Sequence, residues 1–530
     1  MEYVPIYLIF IPIITSMIIY LSDNRYVNYM TFLCQLVLYI LALKYYMVND
    51  GLIEEKIILL GGWDKSIGIA LKNDALSMSF IFLSIFIWLM VLTYCWDKRK
   101  NNSKFLFFLM FLQGTFLGLL QTNDLFNLFV FIEIVTIIST ILIVYKKDGY
   151  SIKSGLYYLL FNSVGMIFYL IGLILIYNLS GTLNMDAISR TIPSLRDTNA
   201  IKLGYIFIIG AIGVKSAFFP IYNWLPKAHS AAPSSISVLL SSLLVKSGIY
   251  AFIRLNNMFK MESFYEFFFF LGFFTSISGI IFALSQKDIK QILAFSTISQ
   301  IGLILMGLSS MDGNAYIGGI MHIFNHAMFK ALLFMGAGTI INTYGIRRIT
   351  EIRGVFKRLP YTSIFMIVGI LSITGVPFLN GFISKEVIKY GLEGFYLKNM
   401  MLYIINLGTS IYFIKFSQIF FGQADREKSR NLNNNLSMFL LASICIVLGS
   451  YSIPLTEGFF GIELLNIRVM TTYNLISYLI MIGIAYLIFK QVVEKDYNIL
   501  KKIRHTHISF EATNFLLVMF IFIMMLWSNK

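Results

Sequence analysis

Long apolar runs, and not two-residue alternation, organise this chain of 530 residues. Roughly sixteen stretches of about 20 mostly apolar residues follow one another, each long enough to cross about 30 Å of hydrocarbon as a helix. They are read at about 4–22, 26–48, 75–96, 104–121, 124–145, 154–178, 202–226, 234–254, 264–285, 290–309, 314–341, 361–390, 399–421, 435–453, 472–493 and 512–528. The largest polar pieces between them, at 49–73, 179–201, 454–471 and 494–511, are too short to build a core of their own. The pattern therefore predicts an all-α polytopic membrane protein without a soluble domain. One exception is KIILLGGWDKSIGIALK at 56–72, where loose alternation around Gly61 and Gly62 predicts a β-hairpin outside the membrane.

Composition supports this reading. Hydrophobic residues make up 58% and charged residues 13% of the chain, against about 25% charged in soluble domains. The N-terminal apolar run lacks a basic leader and a small-residue cleavage site, so it is read as the first span. The net charge of +15 is spread unevenly. Alternate connections carry Lys98, Arg99, Lys100 and Lys104, then Lys146, Lys147 and Lys153, then Lys287 and Lys290. Farther on come Arg347, Arg348, Arg353, Lys357 and Arg358, then Arg426, Lys428 and Arg430, then Lys501, Lys502 and Arg504. The positive-inside rule places those connections in the cytoplasm and both termini outside it. The same rule accounts for the basic charge without a nucleic-acid partner. Cys34, Cys95 and Cys445 lie far apart within apolar runs, which excludes a Cys-ligated cluster and a disulfide framework within the chain.

Against this background, charges inside the spans stand out. Lys215, Lys246 and Lys385 each interrupt an apolar run, and an ammonium group in hydrocarbon marks a functional site by default. Two lie beside helix breaks. Lys215 precedes Pro220 and Pro226 in GVKSAFFPIYNWLP, and Lys385 follows Gly375, Pro377 and Gly381 in TGVPFLNGFISK. Broken helices near the midplane are a common way to build an ion site. The two broken spans stand five spans apart, and an odd repeat length makes two successive five-helix units inverted with respect to each other.

Glu133 lies mid-span with Thr136 and Thr140 on its helical face. A carboxylate there needs a proton or a cation, and Lys215 is its natural partner; at about 4 Å and an effective dielectric near 20 the pair is worth ~4 kcal/mol. A protonated, packing glutamic acid is the alternative. Lys246 lies about two turns from Arg254 at the end of its span, far for snorkelling to the interface. His322, His326 and Lys330 are spaced four apart and form one polar stripe. The stripe fits a proton relay, with structural hydrogen bonding or a haem or metal site as alternatives, the last weakened by the absence of accompanying Cys, Asp or Glu. Lys44 and Lys415 read as snorkelling residues, and His505 and His507 as solvated. Asp124 and Glu133, nine residues apart, point to opposite helix faces and do not form the acidic metal pair that a membrane transferase would need.

Five segments in order carry a resemblance: NDLFNLFVFIE, GVKSAFFPIYNWLPKAHSAAPSSISVLLSSLLVKSGIYAFIR, KDIKQILAFSTISQIGLILMG, HIFNHAMFKALLFMGAGTI and TGVPFLNGFISKE. Together they resemble the proton-translocating antiporter-like subunits of respiratory complex I, membrane-bound hydrogenases and Mrp cation/proton antiporters, over about residues 75–420. The resemblance implies about 14 core transmembrane helices with two inverted five-helix repeats, here followed by about two further helices. It implies helices 1–3 within 1–103, the first repeat at 104–260, the second at 261–424 and C-terminal helices at 425–530. By similarity, Glu133 and Lys215 match the paired glutamate and lysine of helices 5 and 7. Lys246 matches the central residue of helix 8, Lys330 with His322 and His326 the helix 11 relay, and Lys385 the exit-side lysine of helix 12. A complex I subtype with glutamate at that last position is disfavoured. WLPKAHSAAP with LLVKSGIYAFIR is closest to the Mrp D type and its hydrogenase-associated relatives.

The implied function is translocation of H+, with Na+ as a further candidate ion, by a membrane subunit of a multisubunit complex. Ions would pass Lys215 and Lys246, run along His322, His326 and Lys330, and leave by Lys385. No phosphate loop, flavin site or cluster ligand set is present in the sequence, so the expectation is no cofactor, no bond chemistry in this chain, and energy from neighbouring subunits or an ion gradient. An Mrp-type antiporter is the first reading; a redox-driven hydrogenase or NADH:quinone oxidoreductase module is the second.

Overall fold

The computed structural model describes residues 2–22, 26–52, 54–64, 68–96, 103–196, 198–423, 432–461, 464, 471–506 and 508–528. Lys98, Arg99, Lys100, Arg426, Lys428, Arg430 and His507 lie outside the described residues.

Fourteen helices among the described residues are long and apolar enough to cross a membrane, from Val4–Leu21 to Phe510–Trp527. Two further crossings are made in halves. Asn199–Lys215 is followed, after a non-helical segment, by Trp224–Ala231, and Pro360–Thr374 is followed by Asn380–Tyr390. The interruptions hold Pro220 in the first and Gly375 and Pro377 in the second, whereas Pro226 and Gly381, also read as breaks, lie in the first turns of the second halves, where neither residue disrupts a helix. The sixteen apolar runs thus become fourteen continuous helices and two broken ones.

Aspartates start many of the helices. Asp74, Asp124, Asp148, Asp288 and Asp312 each occupy the N-cap and accept from backbone N–H groups of the first turn. These N–H groups have no partner within the helix, and the positive end of the helix dipole favours a carboxylate there. Outside the spans, Lys56–Leu59 pairs antiparallel with Ala70–Asn73, Lys56 opposite Asn73, in agreement with the alternation of the sequence. Asn123 N donates to Ala70 O (2.9 Å), tying the hairpin to the connection ahead of the Leu125–Ile143 helix.

The helices differ in how much protein surrounds them. Ser234–Phe259 is enclosed on all sides and Ile289–Leu308 and Gly313–Tyr344 nearly so, whereas only 17% of the Thr472–Val493 window is buried. The central helices hold most of the ionisable residues that interrupt the apolar runs. Between Tyr265–Ser285 and Ile289–Leu308 the backbones come so close that a Cβ on Gly302 would stand 2.3 Å from Gly272 O, as small residues allow in lipid, where packing and not hydrophobicity drives association. The C-terminal Phe510–Trp527 helix lies against Asn199–Lys215, with Ile521 on Gly210 and Phe520 on Gly213. It also meets the Gly149–Ser180 helix, where Tyr157 Oη and Thr513 Oγ1 are 2.7 Å apart.

Candidate functional site

Lys215 ends the first half of its broken helix, where backbone carbonyls lose their helical partners. The break itself repairs some of that loss: Trp224 Nε1 donates to Val214 O (2.8 Å) and Phe218 N to Gly213 O (3.0 Å). Within the break Ala217 adopts φ +57°, a left-handed conformation that a non-glycine residue holds only where its surroundings fix it. Lys215 is 2% exposed, and its Nζ donates to Thr136 Oγ1 (2.7 Å) and Tyr158 Oη (3.1 Å). The expected contact with Glu133 is not made. No ion pair within 4.0 Å joins Glu133 to Lys215, and Glu133 Oε1 is buried without a hydrogen-bond partner. Thr136, one turn along the same helix, takes the lysine in its place. The physical reason is that a hydroxyl offers an acceptor without the desolvation cost of a second buried charge.

Lys246 follows a π-helical turn at Leu240–Leu244. Such a turn widens the helix and disturbs its hydrogen-bond ladder, and Ser241 O accepts from Lys246 Nζ. The same Nζ lies 2.5 Å from His326 Nδ1 on the Gly313–Tyr344 helix. His326 Nε2 is buried without a protein partner. One turn earlier, His322 has both ring nitrogens engaged, Nδ1 with Ser384 Oγ (2.9 Å) and Nε2 with Gln300 Oε1 (3.0 Å). The two imidazole centroids are 6.3 Å apart. Lys330, the third member of the stripe, turns to the neighbouring helix and donates to Leu293 O (3.0 Å) and Ser296 Oγ.

Lys385 belongs to the second half of the other broken helix, and its Nζ reaches across to Ile373 O (2.7 Å), among the last carbonyls of the first half. A cation at the carbonyl end of a helix is where the dipole favours it. The approach depends on glycine. A Cβ on Gly381 would lie 2.0 Å from Ser372 O, a distance no side chain can occupy. Gly375 turns the chain at φ +88° and Phe378 follows at φ +75°. Asn325 Nδ2 donates to Asn380 O (2.8 Å), anchoring the break to the histidine-bearing helix. Ser384, the neighbour of Lys385, is the residue that meets His322, so contacts run from Lys246 through His326 and His322 to the Lys385 helix.

Several contributing residues are not singled out by the sequence. Tyr158 lies outside the motif segments, while Gln300 and Ser384 lie within two of them without standing out, and only the fold shows that they meet the lysines and histidines. Gln300 extends the network by donating to Thr409 Oγ1 (3.3 Å). His229, within WLPKAHSAAP, is fully buried, stacks on Phe334 (centroids 4.7 Å apart) and leaves both ring nitrogens without partners. Its position in an apolar run beside a break is the signal that could have found it. Lys290, grouped by sequence with the loop cations, is buried and donates to Ala232 O (2.8 Å) at the end of Trp224–Ala231. Lys415 reaches the end of Tyr265–Ser285, where its Nζ binds Leu284 O (2.5 Å) and Gln286 O. Lys44 and His505 are exposed. Among the described residues no cluster of three or more His, Cys, Asp or Glu could hold a metal ion.

Comparison with known proteins places this arrangement. Residues 122–413, more than half of the chain, match the family model described as NADH:quinone oxidoreductase/Mrp antiporter, transmembrane. A relative from Desulforudis audaxviator, the N-type subunit of an NADH-quinone oxidoreductase, is 31% identical over 67% of this chain and 73% of its own length. The D-type subunit of a Na(+)/H(+) antiporter from Alkalihalophilus pseudofirmus is 31% identical over 62% of this chain and 68% of its own. Among solved structures, an archaeal membrane-bound sulfane sulfur reductase contains a chain that superposes with TM-score 0.80 at 27% identity, covering 86% of this chain and 96% of that one. A chain of the Mrp complex from Dietzia superposes with TM-score 0.81 over 91% of this chain and 99% of that one, a likeness of fold at 19% identity.

Proposed function

Because this chain belongs to the NADH:quinone oxidoreductase/Mrp antiporter transmembrane family, we propose that it is an ion-translocating subunit of a multisubunit membrane complex, and specifically a D-like subunit of an Mrp-type cation/proton antiporter. The observation that carries the proposal is the contact between Lys246 Nζ and His326 Nδ1 at 2.5 Å in the enclosed centre of the molecule. Unpaired cations in such a place are costly. An exchange of protons is what makes their placement useful.

In this reading Lys215, Lys246, His322, His326, Lys330 and Lys385 carry protons in turn, and Glu133 biases Lys215. A carboxylate brought to about 4 Å from the Lys215 ammonium would attract it by ~4 kcal/mol at an effective dielectric near 20. With Glu133 withdrawn, Lys215 rests on the neutral acceptors Thr136 and Tyr158 and that attraction is lost. The Lys385 ammonium, held by Ile373 O, would serve the opposite side of the membrane. Residues 104–260 and 261–424 would form the two inverted repeats, each with one broken helix, and both termini would lie outside the cytoplasm. The partners would be other membrane subunits, with H+ and Na+ as the transported ions.

A second reading, the proton-pumping membrane module of a redox-driven complex, is favoured by the NADH-quinone oxidoreductase relative and by the sulfane sulfur reductase chain. Purification of the complex from its native membrane separates the two. Small hydrophobic partners without redox centres support the antiporter; flavin or iron–sulfur subunits would establish the second reading. Transport itself is tested by Lys215→Ala and Lys385→Ala, and wild-type transport in both would refute the proposed route.

A further inference from the structure

A cavity of about 690 Å³ opens among the helix ends on the face that carries the Lys- and Arg-rich connections. Its wall is formed where spans end at Tyr94, Lys146 and Tyr344 and where others begin at Ser234, Ile289 and Asn434. It therefore lies at the depth where hydrocarbon gives way to lipid headgroups. Lys146, Lys290, Arg347 and Arg358 all line it, and no Asp or Glu is among the described lining residues. Two carboxylates act on this group from outside the wall: Asp288 holds Arg347 (2.8 Å), and Asp148 lies close enough to Lys146 to attract it, so four cations face two acids. Lys290 hydrogen-bonds only neutral acceptors, Ala232 O and Ser237 Oγ (3.4 Å), and shares the attraction of Asp288 with Arg347. Arg358 donates one nitrogen to Thr343 O (2.8 Å), while its Nε is buried without a partner.

The cavity is also set firmly in place. Thr339 Oγ1 lies 3.5 Å from Tyr94 Oη and accepts from Asn434 Nδ2 (3.3 Å), and Tyr94 Oη donates to Met335 O (3.2 Å), so three helices share one hydrogen-bonded wall. The positive charge argues against a path for protons or sodium, which it would repel. Charge complementarity calls for an anion, and the apolar part of the wall, with Phe105, Tyr145, Ile341 and Leu359, calls for one joined to a hydrophobic body. The volume is within the about 300–1,000 Å³ usual for small-molecule sites.

We propose that this cavity holds the phosphate headgroup of an anionic phospholipid, with Arg358 and Lys146 as its principal ligands. Basic pockets between transmembrane helices suit such headgroups, and guanidinium donors pair well with phosphate oxygens. A bound lipid would bridge the helices that begin at Ile289 and Asn434 with those that end at Lys146 and Tyr344, and so lock one face of the molecule.

Cys95 lines the cavity, while Cys34 and Cys445 are buried. Maleimide labelling of Cys95 in the assembled complex, with Cys34→Ser and Cys445→Ser as background, therefore reports occupancy. In nanodiscs of phosphatidylcholine containing phosphatidylglycerol, labelling is expected to be about tenfold slower than in phosphatidylcholine alone, as for a site held by charge-assisted hydrogen bonds. Lys146→Gln with Arg358→Gln should abolish the difference. Equal labelling in both lipids would overturn the proposal. So would equal protection by inorganic phosphate in phosphatidylcholine discs, which would mean a free-anion site, or protection in every lipid, which would mean a neighbouring subunit covers the cavity. Native mass spectrometry of the wild-type complex supplies a reading independent of the variants: retained phosphatidylglycerol supports the proposal, and its absence after mild extraction contradicts it.

Discussion

Lys246 Nζ and His326 Nδ1 lie 2.5 Å apart, on two neighbouring helices in the enclosed centre of the molecule. The contact holds one shared proton comfortably and two poorly, because a lysine ammonium facing an imidazolium would be two like charges in a low-dielectric centre. Removing either group should therefore damage the same step. Lys246→Ala and His326→Ala are each expected to lower ion transport by at least roughly tenfold, and the double variant to be no worse than the poorer single one, as for residues that act as a unit. Transport measured in inverted vesicles that contain the assembled complex checks this; additive losses would mean that the two residues act separately.

The lysine at the first break makes a different prediction. Lys215 rests on Thr136 Oγ1 and Tyr158 Oη. Thr136→Val keeps the shape and removes one acceptor, at an expected cost of about 1–3 kcal/mol for a buried charged donor left short of a partner. The variant should melt earlier in detergent, and its transport should depend more strongly on Glu133, the remaining group able to bias the lysine. Combining Thr136→Val with Glu133→Gln and comparing transport with the two single variants measures that coupling.

Stability against acid is set partly at the hairpin end of the molecule. Asp74 is the N-cap of Ala75–Tyr94 and pairs with Arg254 Nη2 (2.7 Å) and Nη1. Burial pushes its carboxyl up, but the Arg254 charge and its hydrogen bonds outweigh that and hold it down at about 2. A carboxylate depressed below its unfolded value, about 3.9, contributes stability that is complete above about pH 4 and lost as pH falls through about 2. The wild-type melting temperature should therefore decline across that window. Asp74→Asn should flatten the decline and cost about 2 kcal/mol at neutral pH, between a lost N-cap and a broken buried pair.

The second break rests on the absence of a side chain. With 2.0 Å between an added Cβ on Gly381 and Ser372 O, Gly381→Ala must push the two half-helices apart. A loss of at least about 1–3 kcal/mol, typical of overpacking, is expected, and transport should fall because Lys385 is carried away from Ile373 O. Melting and transport measured on one preparation test both effects.

Much of this molecule is legible in its sequence because membranes leave few options. Backbone groups in hydrocarbon must be satisfied within helices, so the apolar runs delimit the spans and Pro220, Gly375 and Pro377 mark the interruptions. The family motifs add which ionisable residues to watch. Partners are less legible. Glu133 lies on the expected helical face, yet Thr136 from that same face is what Lys215 binds, and the choice depends on side-chain reach and desolvation, which spacing does not encode. Lys415 has the sequence setting of a snorkelling residue, and the partners it reaches, the carbonyls at the end of Tyr265–Ser285, are supplied by the fold. Lys290 has the setting of a loop cation, although it closes the end of a half-helix 58 residues earlier in the chain. Gln300 and Ser384, which bracket His322, sit within the motif segments, but nothing in their spacing says that they meet a histidine on another helix.

The most direct test of the account is sodium-driven proton movement in proteoliposomes that contain the purified complex, wild type beside Lys246→Ala. An imposed Na+ gradient should drive a pH change in the wild type and little or none in the variant, with assembly unchanged. A variant that transports like the wild type would contradict a route through Lys246 and His326.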